Sequence, residues 1–326
     1  MNSRPTFAES HGNVLKDVSN GTGLYVQVPD TTGVGRPDGF LWVPNSFELD
    51  PTHAAKPLLV MLAGRGDTPQ HVMGNTYTQM MDVQNELDAF VLGLTAKTSS
   101  AGGNSWNVSN EGCWPPADGA GPDDMGYIAT QIGKVCAPPV GTGAFPCDAK
   151  KIWMWGHSCG AIAVFYYSCT HASQIAGVFE MSGFGIRQDL DTACGTGHVH
   201  VAHFHGSSDT VKYTNTGTDL LAPNTQEYVS VEADTVEDGA ARRSTVGQRA
   251  DQNGCGGGTL GLTTSGFVDF DNDVGGSETD LYTWSTCPST DGTVQVWKAN
   301  STVHVPTMTA AGYAAMLNWF TTHTKP

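Results

Sequence analysis

The sequence predicts an α/β fold, a mainly parallel central sheet with helices on both faces, formed by a single domain over residues 1–326. Three observations carry this expectation. Pro57-Leu-Leu-Val-Met-Leu-Ala63 and Phe90-Val-Leu-Gly-Leu-Thr95 are short and continuously apolar, as strands covered on both faces are. Segments with helical spacing fall between such runs, and this alternation produces parallel strands joined by right-handed crossovers. Lys151 to Tyr167 then reads strand, sharp turn, helix: Ile152, Trp153, Met154 and Trp155 lead into Gly156-His157-Ser158-Cys159-Gly160, and small or apolar residues follow.

That last stretch is the one the chain is organised around. In a Gly-x-Ser-x-Gly elbow the serine takes a strained backbone conformation, and the flanking glycines let strand and helix approach without a Cβ clash. Ser158 Oγ is thereby directed out of the turn at a helix N-terminus, where N–H groups and the positive dipole end stabilise an oxyanion. The motif is short and occurs by chance; an ordinary βα turn is the competing reading.

A chain of this length buries a substantial core. Sixteen Lys and Arg against 32 Asp and Glu give a formal charge of −16, a field that repels phosphate backbones and anionic lipid surfaces. Neither nucleic acid nor a membrane is expected as a partner, and no apolar run approaches the ~20 residues of a membrane span. Forty glycines with only 15% charged and 39% hydrophobic residues point to a loop-rich exported protein rather than a disordered one. Eight cysteines, at 113, 136, 147, 159, 169, 194, 255 and 287, lack any Cys-x-x-Cys pair, which favours disulfides in an oxidising compartment over zinc or buried free thiols. Met1-Asn-Ser-Arg-Pro has no apolar export segment, so a secreted protein is expected to have lost a leader and gained Met1 for expression.

Taken in order, Gly23-Leu-Tyr-Val-Gln-Val-Pro and Gly39-Phe-Leu-Trp-Val-Pro44 alternate and end in proline, as antiparallel strands at a sheet edge do. The buried strand over residues 57–63 runs into Gly64-Arg65-Gly66-Asp67-Thr68, a glycine loop where a second oxyanion donor belongs, a plain turn being the alternative. Tyr77 to Leu87 reads as helix. After the strand at Phe90 comes a Gly, Ser and Trp loop, and for its Trp106 and Trp114 two readings stand: flat apolar walls for a substrate, or caps on the core. Asp123-Asp124 open a helix, where acids suit the dipole as capping groups rather than catalysts. Cys136 and Cys147 would close a proline and glycine loop before the elbow strand. Residues 176–185 read as a further strand and turn.

Gly197-His-Val-His-Val-Ala-His-Phe-His-Gly-Ser-Ser-Asp209 contains four histidines, but strand parity puts His198 and His200 on one face and His203 and His205 on the other. A metal site is therefore disfavoured, and a strand ending at Gly206 that delivers Asp209 to the elbow's edge is the better reading. Asp189, Asp191 and Asp219 are rivals that do not directly follow a buried strand. Residues 214–285 form an Asn-, Thr- and Gly-rich insert, a possible lid, with one helix about Glu237 to Asn253 and an acidic hairpin turn, Asp269 to Asp280, read as solvated rather than calcium-binding. Gly292-Thr-Val-Gln-Val-Trp-Lys298 makes the last strand, and His304 follows it ahead of a terminal amphipathic helix, placed as general base with His323 a weaker rival. The order Ser158, Asp209, His304 is that of α/β-hydrolases.

Gly156-His-Ser158-Cys-Gly160, Asp123-Asp124-Met-Gly-Tyr-Ile, Phe204-His205-Gly206-Ser-Ser-Asp209, Asn253-Gly-Cys255 with Cys287, and His304 together resemble the secreted esterases grouped around feruloyl esterases, acetylxylan esterases and poly(3-hydroxybutyrate) depolymerase-like (LpqC-type) proteins, over about Gly39 to Phe320. The resemblance implies an α/β-hydrolase fold, a serine nucleophile and no cofactor. Relatives carry His-Gly where this chain has Ala63-Gly64-Arg65-Gly66, which leaves open the amide that joins Cys159 in the oxyanion hole. Cys159 also replaces the usual alanine, which would set a disulfide against the active site.

The expected activity is serine carboxylic-ester hydrolysis through Ser158, His304 and Asp209, in a monomer acting on a plant cell-wall ester or a polyester. An aromatic cleft of Trp106, Trp114 and Trp155, with His157, would suit a feruloyl group, polyhydroxybutyrate or an aromatic polyester such as PET. An acyltransferase of the same fold is the alternative reaction, and a non-catalytic binding protein the alternative class.

Overall fold

The computed structural model describes residues 15–17, 24–74, 78–100, 102–108, 113–115, 118–143, 145–183, 197–209, 234–235, 241–242, 249–250, 252–255, 260–287, 290 and 292–326. The apolar runs become strands of one sheet: β1 Leu15–Asp17, β2 Leu24–Val28, β3 Gly39–Trp42, β4 Lys56–Leu62, β5 Phe90–Leu94, β6 Cys147–His157, β7 Gly177–Met181, β8 His200–Gly206, β9 Leu260–Val268, β10 Thr279–Trp284 and β11 Val294–Ala299. Their spatial order is β1-β2-β3-β5-β4-β6-β7-β8-β11-β10-β9. The centre, β5-β4-β6-β7-β8-β11, is parallel throughout. Antiparallel wings flank it: β1, β2 and β3 on one side, the β9–β10 hairpin on the other.

Side-chain alternation divides the core into two layers. Leu58, Val60 and Leu62 of β4 face one layer with Ile152 and Met154 of β6; Leu59 and Met61 face the other with Trp153 and Trp155. The first layer is closed by α4, Asp124–Val135, and α5, Cys159–Thr170; the second by α2, Pro69–Gly74, α3, Val83–Glu86, and α6, Ala310–Thr322. A short α1, Asn45–Leu49, adds Phe47 to the first layer. Helices thus cover both faces, as expected.

Several local expectations change. The helix read from Tyr77 to Leu87 contracts to α3, because Gln79 takes φ 57° and Thr78 Oγ1 donates to Val72 O at 2.7 Å, a turn rather than a helical start. Asp123 is the N-cap of α4, its carboxylate accepting from Gly126 N at 2.8 Å. Asp124 does something else: it is buried in an ion pair with Arg36, whose guanidinium lies 4.4 Å from the Tyr127 ring centre. Burial pushes the Asp124 carboxyl up to about 6 against that pairing.

Residues 260–284 of the suspected lid are instead the β9–β10 hairpin of the main sheet. The acidic turn between them is solvated at its tip, where Asn272, Asp273 and residues 275–277 are exposed, but Asp271 and Glu278 are buried and their oxygens accept backbone N–H groups, Glu278 from Phe270 and Asp271, Asp271 from Asp273 and Thr307. Most of residues 210–248, and with them most of the helix read at Glu237 to Asn253, lie outside the described residues, as do Asp189, Asp191, Cys194 and Asp219. Disulfides join Cys113 to Cys159, Cys136 to Cys147 and Cys255 to Cys287, with Cα separations of 5.7, 5.3 and 4.1 Å. Cys169 is also disulfide-bonded. Among the described residues no helix is long and apolar enough to cross a membrane.

Candidate active site

The elbow forms as its glycines require. At Gly156 an added Cβ would stand 2.3 Å from Gly160 O, and at Gly160 one would stand 2.0 Å from Leu62 O. Only hydrogen at both positions lets β6, β4 and α5 meet this closely. Between them Ser158 takes φ 56°, ψ −124°, with its N–H donating to Met181 O at 2.9 Å. The strained turn leaves Ser158 at the start of α5, beyond the carboxyl ends of the parallel strands.

Two loops from neighbouring strands reach it. The one after β8 brings Asp209, and the one after β11 brings His304. Ser158 Oγ–H donates to His304 Nε2 at 3.0 Å, and His304 Nδ1–H donates to Asp209 Oδ2 at 2.6 Å. The carboxylate fixes the tautomer: with Nδ1 protonated, Nε2 is left as the acceptor that faces the hydroxyl. Asp209 is held well below the usual carboxylate range by its imidazole partners although burial opposes it, so it stays an anion.

His157, expected to touch substrate, is buried under the site instead. Its Nε2–H donates to the carbonyl oxygen of His304 at 3.0 Å, with the two rings 5.1 Å apart. Burial drives the His157 imidazole down to about 4, so it is neutral and its donor is available at neutral pH. His157 therefore braces the loop that carries His304. The acidic turn grips the same loop further along. Asn272 N donates to Thr307 O at 2.7 Å, Thr307 N to Asp271 Oδ1 at 3.1 Å, and Thr309 N to Phe270 O at 2.8 Å. Nothing in the sequence pattern ties residues 270–273 to 307–309; the clamp exists only once β10 pairs with β11.

The glycine loop after β4 lies against the elbow, where a Cβ on Gly64 would come within 3.2 Å of Ser158 Cβ. Gly66, expected as an oxyanion donor, is not one, because its N–H donates to Asn104 O at 2.7 Å. That bond joins the loop to the small ribbon of Lys97–Thr98 and Asn104–Ser105. Gly64 remains beside Ser158, and the neighbouring Arg65 is exposed. Cys159 opens α5 and is tied by its disulfide to the loop at Cys113.

The tryptophans are core residues. Trp106 and Trp155 have no exposed surface and Trp114 is 6% exposed, which overturns the aromatic cleft. Trp106 Nε1–H donates to Ala63 O at 2.9 Å, and Trp155 projects into the layer opposite α5. The apolar surface at the site comes from elsewhere: Val303 and Val305, either side of His304, are 50% and 46% exposed. Strand parity also holds for the histidines, with His203 and His205 stacked 5.7 Å apart and His200 turned to Thr293 and Thr324. His323, the rival base, accepts no role here; its ring stacks on Trp319. Among the described residues no cluster suited to a metal ion occurs.

No family model matches the chain, and no curated protein matches it. Among solved structures, the acetyl xylan esterase from Aspergillus awamori is similar with a TM-score of 0.58 at 14% identity, covering 92% of this chain and 99% of that one. The fold is an α/β-hydrolase fold. An S-formylglutathione hydrolase from Agrobacterium tumefaciens is also similar, at a TM-score of 0.43 and 12% identity over 62% of this chain and 82% of that one. In this fold the β9–β10 hairpin stands between Asp209 and His304 in the chain, and it extends the sheet beyond β11.

Proposed function

We propose that this chain is a secreted serine carboxylic-ester hydrolase that works through Ser158, His304, Asp209 and an acyl-enzyme. The observation that carries the reading is the continuous hydrogen-bonded line from Ser158 Oγ through His304 to Asp209, at 3.0 and 2.6 Å. The disulfides support secretion, since such bonds persist in oxidising compartments.

In the reaction, His304 Nε2 takes the Ser158 proton as Oγ bonds to the ester carbonyl carbon. Negative charge moves to the carbonyl oxygen, held by the Cys159 amide and one amide of the Gly64-Arg65 segment. The C–O bond to the alcohol breaks, and the alcohol leaves with the proton from His304. Water, deprotonated by the same nitrogen, then attacks the acyl carbon and returns Ser158 as the free hydroxyl. Asp209 stabilises the imidazolium in both halves and keeps no proton itself. The residues present accomplish this without a cofactor.

Acetyl, feruloyl and polymeric esters present the same carbonyl to the triad. Val303 and Val305, half-exposed on either side of His304, suit an apolar acyl or polymer flank without choosing among these esters. Transfer of the acyl group to an alcohol instead of water is the second reaction this site permits, and adding an alcohol acceptor during turnover separates the two products.

Ser158→Ala is expected to lower kcat on p-nitrophenyl butyrate by about 10⁴-fold or more, and a serine-directed phosphonate should label the native chain and not the variant. Native protein that neither hydrolyses any ester of a panel spanning p-nitrophenyl esters, methyl ferulate, acetylated xylan and polyester film nor takes the label would refute the proposal.

A further inference from the structure

Behind the triad lies a buried polar seam that the mechanism above does not use. On β8 the rings of His203 and His205 are stacked at 5.7 Å and 14°. His203 Nδ1 meets Glu180 Oε2 of the neighbouring strand at 3.1 Å, with both side chains buried. At the other end, His205 Nε2 lies 3.1 Å from Asp209 Oδ2, the same oxygen that accepts from His304 Nδ1 at 2.6 Å.

We infer that His205 is a positioning residue for the triad carboxylate, its buried Nε2 edge packed 3.1 Å from Asp209 Oδ2 and so limiting both the rotamer of Asp209 and the share of its charge that His304 receives. This rests on the ester hydrolase reading above. Three observations support it. The His205 side chain is 3% exposed and stacked, so its ring has one orientation to offer. The His205 and Asp209 side chains are 3% and 1% exposed, so the imidazole edge and the carboxylate interact at 3.1 Å with little water to screen them. Residues 206–208 hold Asp209 in a tight turn in which Asp209 N donates to Gly206 O at 3.1 Å, leaving the carboxylate pinned from two sides.

The charged and titratable groups around this point are few and can be named. Asp209 faces His205 and His304; His304 faces Asp209 and His157; His205 faces His203, Asp209 and His304. Glu180 backs His203 and is itself faced by Arg249, and Asp67 is the acid nearest His157. Two imidazole edges against one oxygen divide its negative charge, and removing one makes the carboxylate a stronger partner for the His304 proton. Protonated His304 is then favoured, and the acid limb of kcat/KM moves to higher pH.

The test compares His205→Leu, which removes the polar edge, with His205→Gln, whose amide nitrogen reaches about as far as Nε2. On p-nitrophenyl butyrate, His205→Leu should lose about tenfold or more in kcat and shift its acid limb upward by about half a pH unit or more, while His205→Gln keeps the native limb. A purely structural histidine would lower yield or kcat in both variants and leave the limb in place, which would overturn the inference, as would an equal shift in both. Should His205→Leu fail to fold, judged by its thermal transition, His205→Asn replaces it, since its shorter amide cannot span to Asp209. Phosphonate labelling of Ser158 in the native chain keeps the two levels apart. A labelled, active native enzyme with unmoved variants sinks this inference alone, and an unlabelled, inactive one sinks the reading beneath it.

Discussion

Ser158 occupies a backbone region that only its surroundings make tolerable, and the tightest of those surroundings is Gly160. A methyl group there would overlap Leu62 O at 2.0 Å, with Ala63 O also within 2.7 Å, and both partners are backbone that cannot rotate aside. Gly160→Ala is expected to cost more than the ~1–3 kcal/mol typical of overpacked side chains, read as a lost or greatly lowered denaturation midpoint. At this scale the sequence was informative where chemistry demands a particular residue in a particular turn. Ser158, Asp209 and His304 could be read because each follows a strand and their order is constrained. His205 and His157 could not, since a histidine on a strand gives the same signal whether it braces a catalytic group or fills a core. The tryptophans misled for a related reason: a loop rich in glycine and tryptophan has the same composition whether its rings face solvent or, as Trp106 does, hydrogen-bond to a strand-end carbonyl.

Among the elements, the β9–β10 turn decides where the His304 loop sits. Asp271 is buried and accepts from Thr307 N and Asp273 N, while Asn272 N and Thr309 N complete the clamp on the other side. Asp271→Ala takes the acceptor from two part-buried backbone N–H groups, those of Asp273 and Thr307, at a cost of about 1–3 kcal/mol in total. The expected outcome is a lower thermal midpoint together with a lower kcat and slower phosphonate labelling, although residue 271 touches neither Ser158 nor His304. The final strand was legible in the sequence, whereas the two hairpin strands read only as part of an insert around an acidic turn. The clamp was not legible either, because the acids alternate with small polar residues as a solvated turn does, and only tertiary pairing reveals that two of them are inside. The contracted α3 has a similar cause, a left-handed Gln79 that no periodicity announces.

For the whole molecule, acidity acts on stability as well as on the base. Burial holds His157 and His205 down to about 4 in the folded chain against 6.5 for the free side chain. The unfolded chain therefore binds two protons that the folded one refuses in that interval. Their contribution is fully present above about pH 6.5 and is lost as the pH falls toward about 4, at most on the order of 3 kcal/mol for each. Asp209, depressed in the folded state, adds a loss only in more acid solution. Asp124, raised to about 6, works against them in the same window, so the test is a comparison: in urea denaturation at pH 8, 6 and 4.5 the midpoint of His205→Gln should fall less steeply than that of the native chain. Parallel pH dependences in the two proteins would contradict the assignment. Fold class was the most legible level of all, since alternating buried strands and helices leave few other arrangements, while the sheet order β3-β5-β4-β6-β7-β8-β11 emerges only from the tertiary pairing.

The bridge from Cys113 to Cys159 attaches to the residue immediately after Ser158, the proposed nucleophile, and its two ends are 46 positions apart in the chain. Its consequence is practical. Material produced where thiols stay reduced will carry the right amino acids without the covalent tie that sets the first turn of α5, so activity per milligram becomes a property of the host compartment as much as of the gene.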